Sequence, residues 1–220
     1  MELTAAAEWL NTTFSGFDHA ILNVLHEFAL LTHGNLNWLF KFISLFAEKG
    51  LFLILLSIFL MLFKKTRKFG ICIFGAIGAG AIITNFILKD MIARPRPYMS
   101  TILEYKDWWQ YAGSVAESDF SFPSGHTTAM TAAMMSLIFM AKTKNKYWCF
   151  LFIILMGISR NYLMVHYPSD VIGGMLSGLI GATIAYFITL LIYKILDKYK
   201  DVKLFNFIKN FDIINAMKKK

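Results

Sequence analysis

The stretch Phe69–Leu88 runs for about one bilayer thickness without a single charged residue. Such a run has few destinations, because a helix in lipid pairs all of its own backbone groups and an open or irregular chain does not. Val171–Tyr193 is a second uncharged run and the longest in the chain. Leu51–Phe63, Thr127–Ala141 and Tyr147–Ile158 are three shorter apolar runs. Leu51–Phe63 falls short of the roughly 17 to 25 residues that span a bilayer. Its helix therefore has to borrow from Phe40–Gly50, which brings in Glu48 and Lys49. Charges at that depth are expected to face the bundle or sit at the interface. The expected fold class is all-α, a polytopic transmembrane helical bundle of about five spanning helices plus an N-terminal interfacial helix. Gly75, Ala76, Gly78, Ala79 and Gly80, and the Gly174 to Gly178 spacing, mark faces where helices approach closely.

Charged residues make up 16% of the chain, against roughly 25% in an average soluble domain. One domain over residues 1–220 is expected, with no independent soluble unit. The formal charge of +8 would suit a nucleic-acid binder if it lay along one polar face, but the lysines cluster at the ends of apolar runs. The excess reads as membrane orientation, with no nucleic-acid partner. Lys64, Lys65, Arg67 and Lys68 follow the first span, Lys142 to Lys146 the third, and the lysine-rich tail 194–220 the fifth. The positive-inside rule makes that face cytoplasmic, and the tail, with Leu204, Phe205, Phe207 and Ile208, reads as an interfacial helix there. The N-terminal segment 1–35 has no lysine or arginine, and its Ile21–Leu31 stretch alternates as an amphipathic surface helix would. Glu2, Glu8, Asp18 and Glu27 interrupt it, unlike a secretory signal. Cys72 and Cys149 sit in apolar runs as small hydrophobes.

Three polar clusters interrupt the chain on the opposite, outer face: Lys89 with Arg94-Pro95-Arg96-Pro97, then Pro123-Ser124-Gly125-His126, then Ser159-Arg160 with His166 and Asp170. If they converge, several cations and two imidazoles share one pocket suited to an anion with several oxygens. Pro123 and Pro168 both suit the first position of a helix. Ser124 and Gly125 would then offer first-turn N–H groups to a phosphate oxygen. His166 would precede the last helix, with Asp170 in its first turn holding the ring in one tautomer. His166 is the candidate nucleophile, Asp170 its orienting carboxylate and His126 the candidate general acid. Lys89, Arg96 and Arg160 are the candidate phosphoryl clamps. Metal-ligand spacing is missing from this face, so no metal and no cofactor is expected. Arg94 reads equally as an accessory contact or an interfacial charge. Trp108, Trp109 and Tyr111 read as an interface belt, His19, His26 and His33 as surface residues, and Thr84 and Asn85 as cross-helix bonding groups.

Lys89 followed after six residues by Arg96-Pro97, the tetrad Pro123–His126, and Ser159-Arg160 followed by His166 and Asp170 together resemble the signatures of the type 2 phosphatidic acid phosphatase family. The resemblance covers Lys89 to Asp170. It implies a helical core of the kind shared with vanadium haloperoxidases and soluble acid phosphatases, and metal-independent phosphoryl transfer through a phosphohistidine. Among small members it implies a lipid phosphate or diphosphate substrate in the bilayer, undecaprenyl diphosphate first and phosphatidylglycerophosphate or phosphatidate as alternatives. A phosphotransferase, or a non-catalytic anionic-lipid binder or transporter, would keep the same cations. Intact His126, His166 and Asp170 favour catalysis over binding alone.

Overall fold

The computed structural model describes residues 3–217 and is all-helical among them. Lys218, Lys219 and Lys220, the end of the lysine-rich tail, lie outside the described residues. In chain order the helices are α1 (Ala5–Thr13), α2 (Ser15–Leu31), α3 (Asn37–Leu45), α4 (Leu51–Met61), α5 (Arg67–Ala81), α6 (Lys89–Ile92), α7 (Leu103–Tyr111), α8 (Gly125–Met140), α9 (Cys149–Tyr162), α10 (Pro168–Lys198), α11 (Lys203–Asn210) and α12 (Ile213–Met217). A π-helical segment, Ile82–Leu88, joins α5 to α6.

Three stretches are long and apolar enough to cross a membrane: Asn37–Met61, Arg67–Met99 and Pro168–Lys198. The other two expected spans, α8 and α9, have 16 and 14 residues, and α8 is largely buried by its neighbours. Helix α10 is the organising element, packing along both α8 and α5. Its small residues set the distance. A Cβ on Gly174 would lie 2.6 Å from the Ser124 carbonyl oxygen, and one on Gly178 2.6 Å from that of Thr128. Gly181 meets the backbone of Gly80 in the same way, while Gly78 has no neighbour within 4 Å. The glycines of α10 therefore bring its first turns against the start of α8, the spacing expected of small-residue packing.

The first span differs from the continuous helix expected of it. Lys49 and Gly50 adopt φ of 48° and 68°, which breaks the helix between α3 and α4. Irregular backbone at membrane depth is tolerated where it borders a cavity, and Glu48, Lys49 and Gly50 line one. A second difference concerns α8, whose N-cap is Ser124 and whose first residue is Gly125. Pro123 thus precedes the cap instead of opening the helix. Pro168, by contrast, is the first residue of α10, as the sequence suggests.

The N-terminal α2 packs on α9 and α10, burying Asp18, Leu22 and Ala29. Trp108 is buried in a cluster with Leu22, Tyr105, Met164 and Tyr167, so it serves the protein core and not an aromatic belt. At the far end of the bundle, Arg67 donates to the carbonyls of Ile208, Lys209 and Phe211, and Ile213 N–H to Leu62 O. The basic tail is thereby folded onto the α4–α5 turn. Cys72 and Cys149 are both free thiols.

Candidate active site

The three sequence clusters meet where the starts of α8 and α10 lie side by side. Ser124 N–H donates to the Asp170 carbonyl at 3.0 Å, joining the two helix starts directly. Around that junction lies a cavity of about 260 Å³ lined by Lys89, Arg96, Gly125, His126 and His166, with Glu48 and Asp119 on its wall. Both imidazoles therefore face the same space.

His166 is 1% exposed and sits two residues before α10. Its Nε2 is 3.3 Å from Arg96 Nη1. A guanidinium only donates, so this nitrogen must be the acceptor and the ring proton must be on Nδ1. The Nε2 lone pair is then held by a long hydrogen bond from Arg96, which has to yield before this nitrogen can attack another atom. Burial, followed by the charges of Arg96, Arg160, Lys89 and His126, holds the imidazole well below its ordinary pKa, so it is neutral in neutral solution.

Nδ1 faces Asp170 Oδ2 at 3.6 Å, an ion-pair distance but longer than the hydrogen bond the sequence leads one to expect, and Nδ1 has no other partner. The reason is that the carboxylate is already engaged. Oδ2 accepts from Ser121 Oγ and from Tyr167 N–H at 2.8 Å, and Oδ1 accepts from Arg94 Nη1 at 2.7 Å. Tyr167 is the N-cap of α10 and Asp170 its third residue, so this bond also closes the helix start.

The cations are arranged as a cradle. Arg96 donates from Nη1 to Val165 O at 2.8 Å and from Nε to Asp119 O at 2.9 Å, which fixes the guanidinium plane. Arg96 Nη2 and Lys89 Nζ both donate to the Asp119 carboxylate, while Arg160 donates to Ser44 and Glu117. The Nε of Arg160 is buried without a partner. His126 Nε2 lies 3.0 Å from Glu48 Oε2. Lys89 and Arg96 thus share Asp119, Arg160 meets Glu117 and His126 meets Glu48, and all three acidic residues line the cavity. The Asp119 carboxyl is held below the ordinary carboxylate value, because the Lys89 hydrogen bond and the Lys89 and Arg96 charges outweigh its burial.

Of the residues singled out from sequence, Lys89, Arg96, Gly125, His126 and His166 line the cavity, and Arg160 and Asp170 stand behind it. Ser124 is placed differently from expectation: it is fully buried, its amide is spent on Asp170 and its hydroxyl accepts from Thr127 Oγ1 at 3.0 Å. It builds the junction, leaving the cavity to Gly125 and His126. Thr84 bonds across to Thr128 at 3.0 Å, as expected. Sequence reading missed Asp18, Glu48, Glu117, Asp119 and Ser121. Glu48 alone carried a signal, as a charge inside an otherwise apolar span.

A helical membrane bundle that gathers two imidazoles and three cations around one small cavity has the layout of a phosphate-handling enzyme. Residues 69–197 match the PAP2 superfamily model, and the chain belongs to that family of lipid phosphatases. It is 28% identical to undecaprenyl-diphosphatase BcrC of Bacillus subtilis, over 74% of this chain and 79% of that one. It is 29% identical to an undecaprenyl-diphosphatase of Sulfolobus acidocaldarius over 74% of each chain, and 34% identical to phosphatidylglycerophosphatase B of Bacillus subtilis over 54% of this chain and 58% of that one. Among solved structures, the Bacillus subtilis PAP2-type phosphatidylglycerolphosphate phosphatase superposes with a TM-score of 0.60 at 26% identity, covering 90% of this chain and 93% of that one. Aquifex aeolicus LpxE gives 0.56 at 27% identity over 74% and 93%.

Proposed function

We propose that this integral membrane phosphatase hydrolyses an isoprenyl diphosphate, undecaprenyl diphosphate first, through a phosphohistidine on His166. The observation that carries this reading is the buried His166, which lines the same cavity as His126 and whose unprotonated Nε2 sits beside the Arg96 guanidinium. In the first step Nε2 attacks phosphorus, the P–O bond to the leaving group breaks, and His126 gives that oxygen a proton. Asp170 stabilises the positive imidazole ring that results. In the second step water attacks phosphorus, His126 takes its proton, the P–N bond breaks and inorganic phosphate leaves. Lys89, Arg96, Arg160 and the amide at Gly125 hold the phosphoryl oxygens, taking over from Asp119 and Glu117.

The diphosphate assignment is supported by two undecaprenyl-diphosphatase relatives that align over most of both chains. Phosphatidylglycerophosphate is the second reading, favoured by the higher local identity to phosphatidylglycerophosphatase B. The site is assigned to the extracytoplasmic face of a bacterial plasma membrane and the C-terminus to the cytoplasm, because the basic turn Lys64 to Lys68 and the lysine tail share the end of the bundle opposite the cavity.

The test is single-substrate kinetics on protein purified in detergent with EDTA present. The highest kcat/KM is expected for isoprenyl diphosphate over phosphatidylglycerophosphate and phosphatidate, and His166→Ala is expected to release no phosphate. Undiminished turnover by that variant would remove the nucleophile assignment. A preference for phosphatidylglycerophosphate would select the second reading.

A further inference from the structure

A buried charge network reaches the site from the N-terminal helix. Arg94, 1% exposed, lies between two carboxylates: Nη2 donates to Asp18 Oδ2 at 2.9 Å and Nη1 to Asp170 Oδ1 at 2.7 Å. Asp18 Oδ1 also accepts from Ser169 N–H at 2.8 Å, and its Oδ2 from Ser169 Oγ at 2.7 Å. Ser169 is the second residue of α10, so a side chain from α2 satisfies one of the free N–H groups at that helix start. The Arg94 guanidinium lies 3.8 Å over the Tyr167 ring, and its Nε donates to Asn11 Oδ1 at 2.8 Å. No group of this network lines the cavity of the candidate site.

We infer that Asp18 is a positioning residue for the reaction, acting through Arg94 to leave Asp170 its negative charge towards His166. The charge count makes the argument. With Asp18 ionised, the state that its bonds from Ser169 and Arg94 favour against the upward push of burial, Asp18, Arg94 and Asp170 together carry one net negative charge in a desolvated place, where opposite charges interact most strongly. If Arg94 bore on Asp170 alone, the pair would be neutral and the imidazole ring would gain little when it turns positive. Asp18 takes up half of the guanidinium fork and keeps the remaining charge at Asp170. The groups facing His166 itself are Asp170 on one side and Arg96, Arg160, Lys89 and His126 on the other; those four have Asp119, Glu117 and Glu48 as partners, and Asp170 is the one carboxylate within ion-pair distance of the His166 ring among the described residues.

This inference rests on the phosphohistidine reading, and the experiment separates the two. Asp18→Asn keeps the shape and removes the charge. It is expected to lower kcat about tenfold, one pKa unit's worth of interaction with the developing imidazolium, with KM unchanged. The double variant Asp18→Asn/Arg94→Gln restores the single negative charge of the network and is expected to recover kcat above that of Asp18→Asn. A purely bracing role predicts the opposite, since the double variant loses more bonds. A folded Asp18→Asn chain with wild-type kcat overturns the inference, as does a double variant slower than the single one. Failure of both variants to fold overturns it as well, by assigning the pair to the fold alone. His166→Ala is the control: if it turns over like the wild type, the phosphohistidine reading fails, whereas normal turnover of the Asp18 variants beside an inactive His166→Ala sinks only the inference.

Discussion

Replacing Asp119 by asparagine should make the enzyme more easily inhibited by inorganic phosphate. The Asp119 carboxylate bridges Lys89 and Arg96, both buried, so a phosphate that binds these cations competes with it. Hydrogen bonds to charged groups contribute about 1.5 to 3 kcal/mol each. The Asp119 side chain is 49% exposed, which screens both bonds and brings the pair down to about 2 kcal/mol together. Asparagine still offers one acceptor oxygen, recovering part of that, so the net change is about 1.4 kcal/mol, or roughly tenfold. The assay is competitive inhibition of p-nitrophenyl phosphate hydrolysis by inorganic phosphate or vanadate, in low and in high salt. Ki is expected to fall about tenfold for Asp119→Asn, with a smaller fall in high salt where the cations are screened. An unchanged or raised Ki would refute the idea that this carboxylate competes with phosphate, and would make Asp119 a support of the cradle instead.

Three further outcomes follow from the geometry. Glu48→Gln removes the carboxylate 3.0 Å from His126 Nε2, and is expected to slow cleavage of poor leaving groups about tenfold while sparing p-nitrophenyl phosphate; equal slowing of both would argue against His126 as the acid. Gly178→Ala forces a methyl to within 2.6 Å of the Thr128 carbonyl, and overpacking of this kind costs about 1 to 3 kcal/mol, to be read as a lower melting temperature in detergent. Because the folded His166 pKa lies below that of the unfolded chain, stability is fully present above about 6.5 and declines as pH falls from there towards the folded value. Melting temperatures between about pH 7.5 and 5 should show this decline, and His166→Gln should flatten it.

The apolar runs located the elements because lipid leaves a chain little besides helices to form. The break in the first span was not legible, since Lys49 and Gly50 read as a pause in hydropathy and only the cavity beside them explains a left-handed backbone there. The cations and imidazoles were legible because their spacings are fixed by the turns that present them. Their counter-charges were not. Glu117 and Asp119 belong to a loop with no periodicity, and Asp18 meets Arg94 and Ser169 only after α2 has docked on α10. The departures at Pro123 and Ser124 have the same origin, because the start of α8 is set by the Ser124 bond to the Asp170 carbonyl, which no local pattern announces.

The most direct test of the covalent step is to quench turnover of a substrate carrying a labelled scissile phosphate within milliseconds and to locate the label on the protein. A phosphoryl group stable to alkali and labile to acid, on the peptide that contains His166 and missing from His166→Ala, is the predicted result. Active enzyme quenched under the same conditions with the label on another residue, or with turnover by direct attack of water and no label at any time, would contradict it.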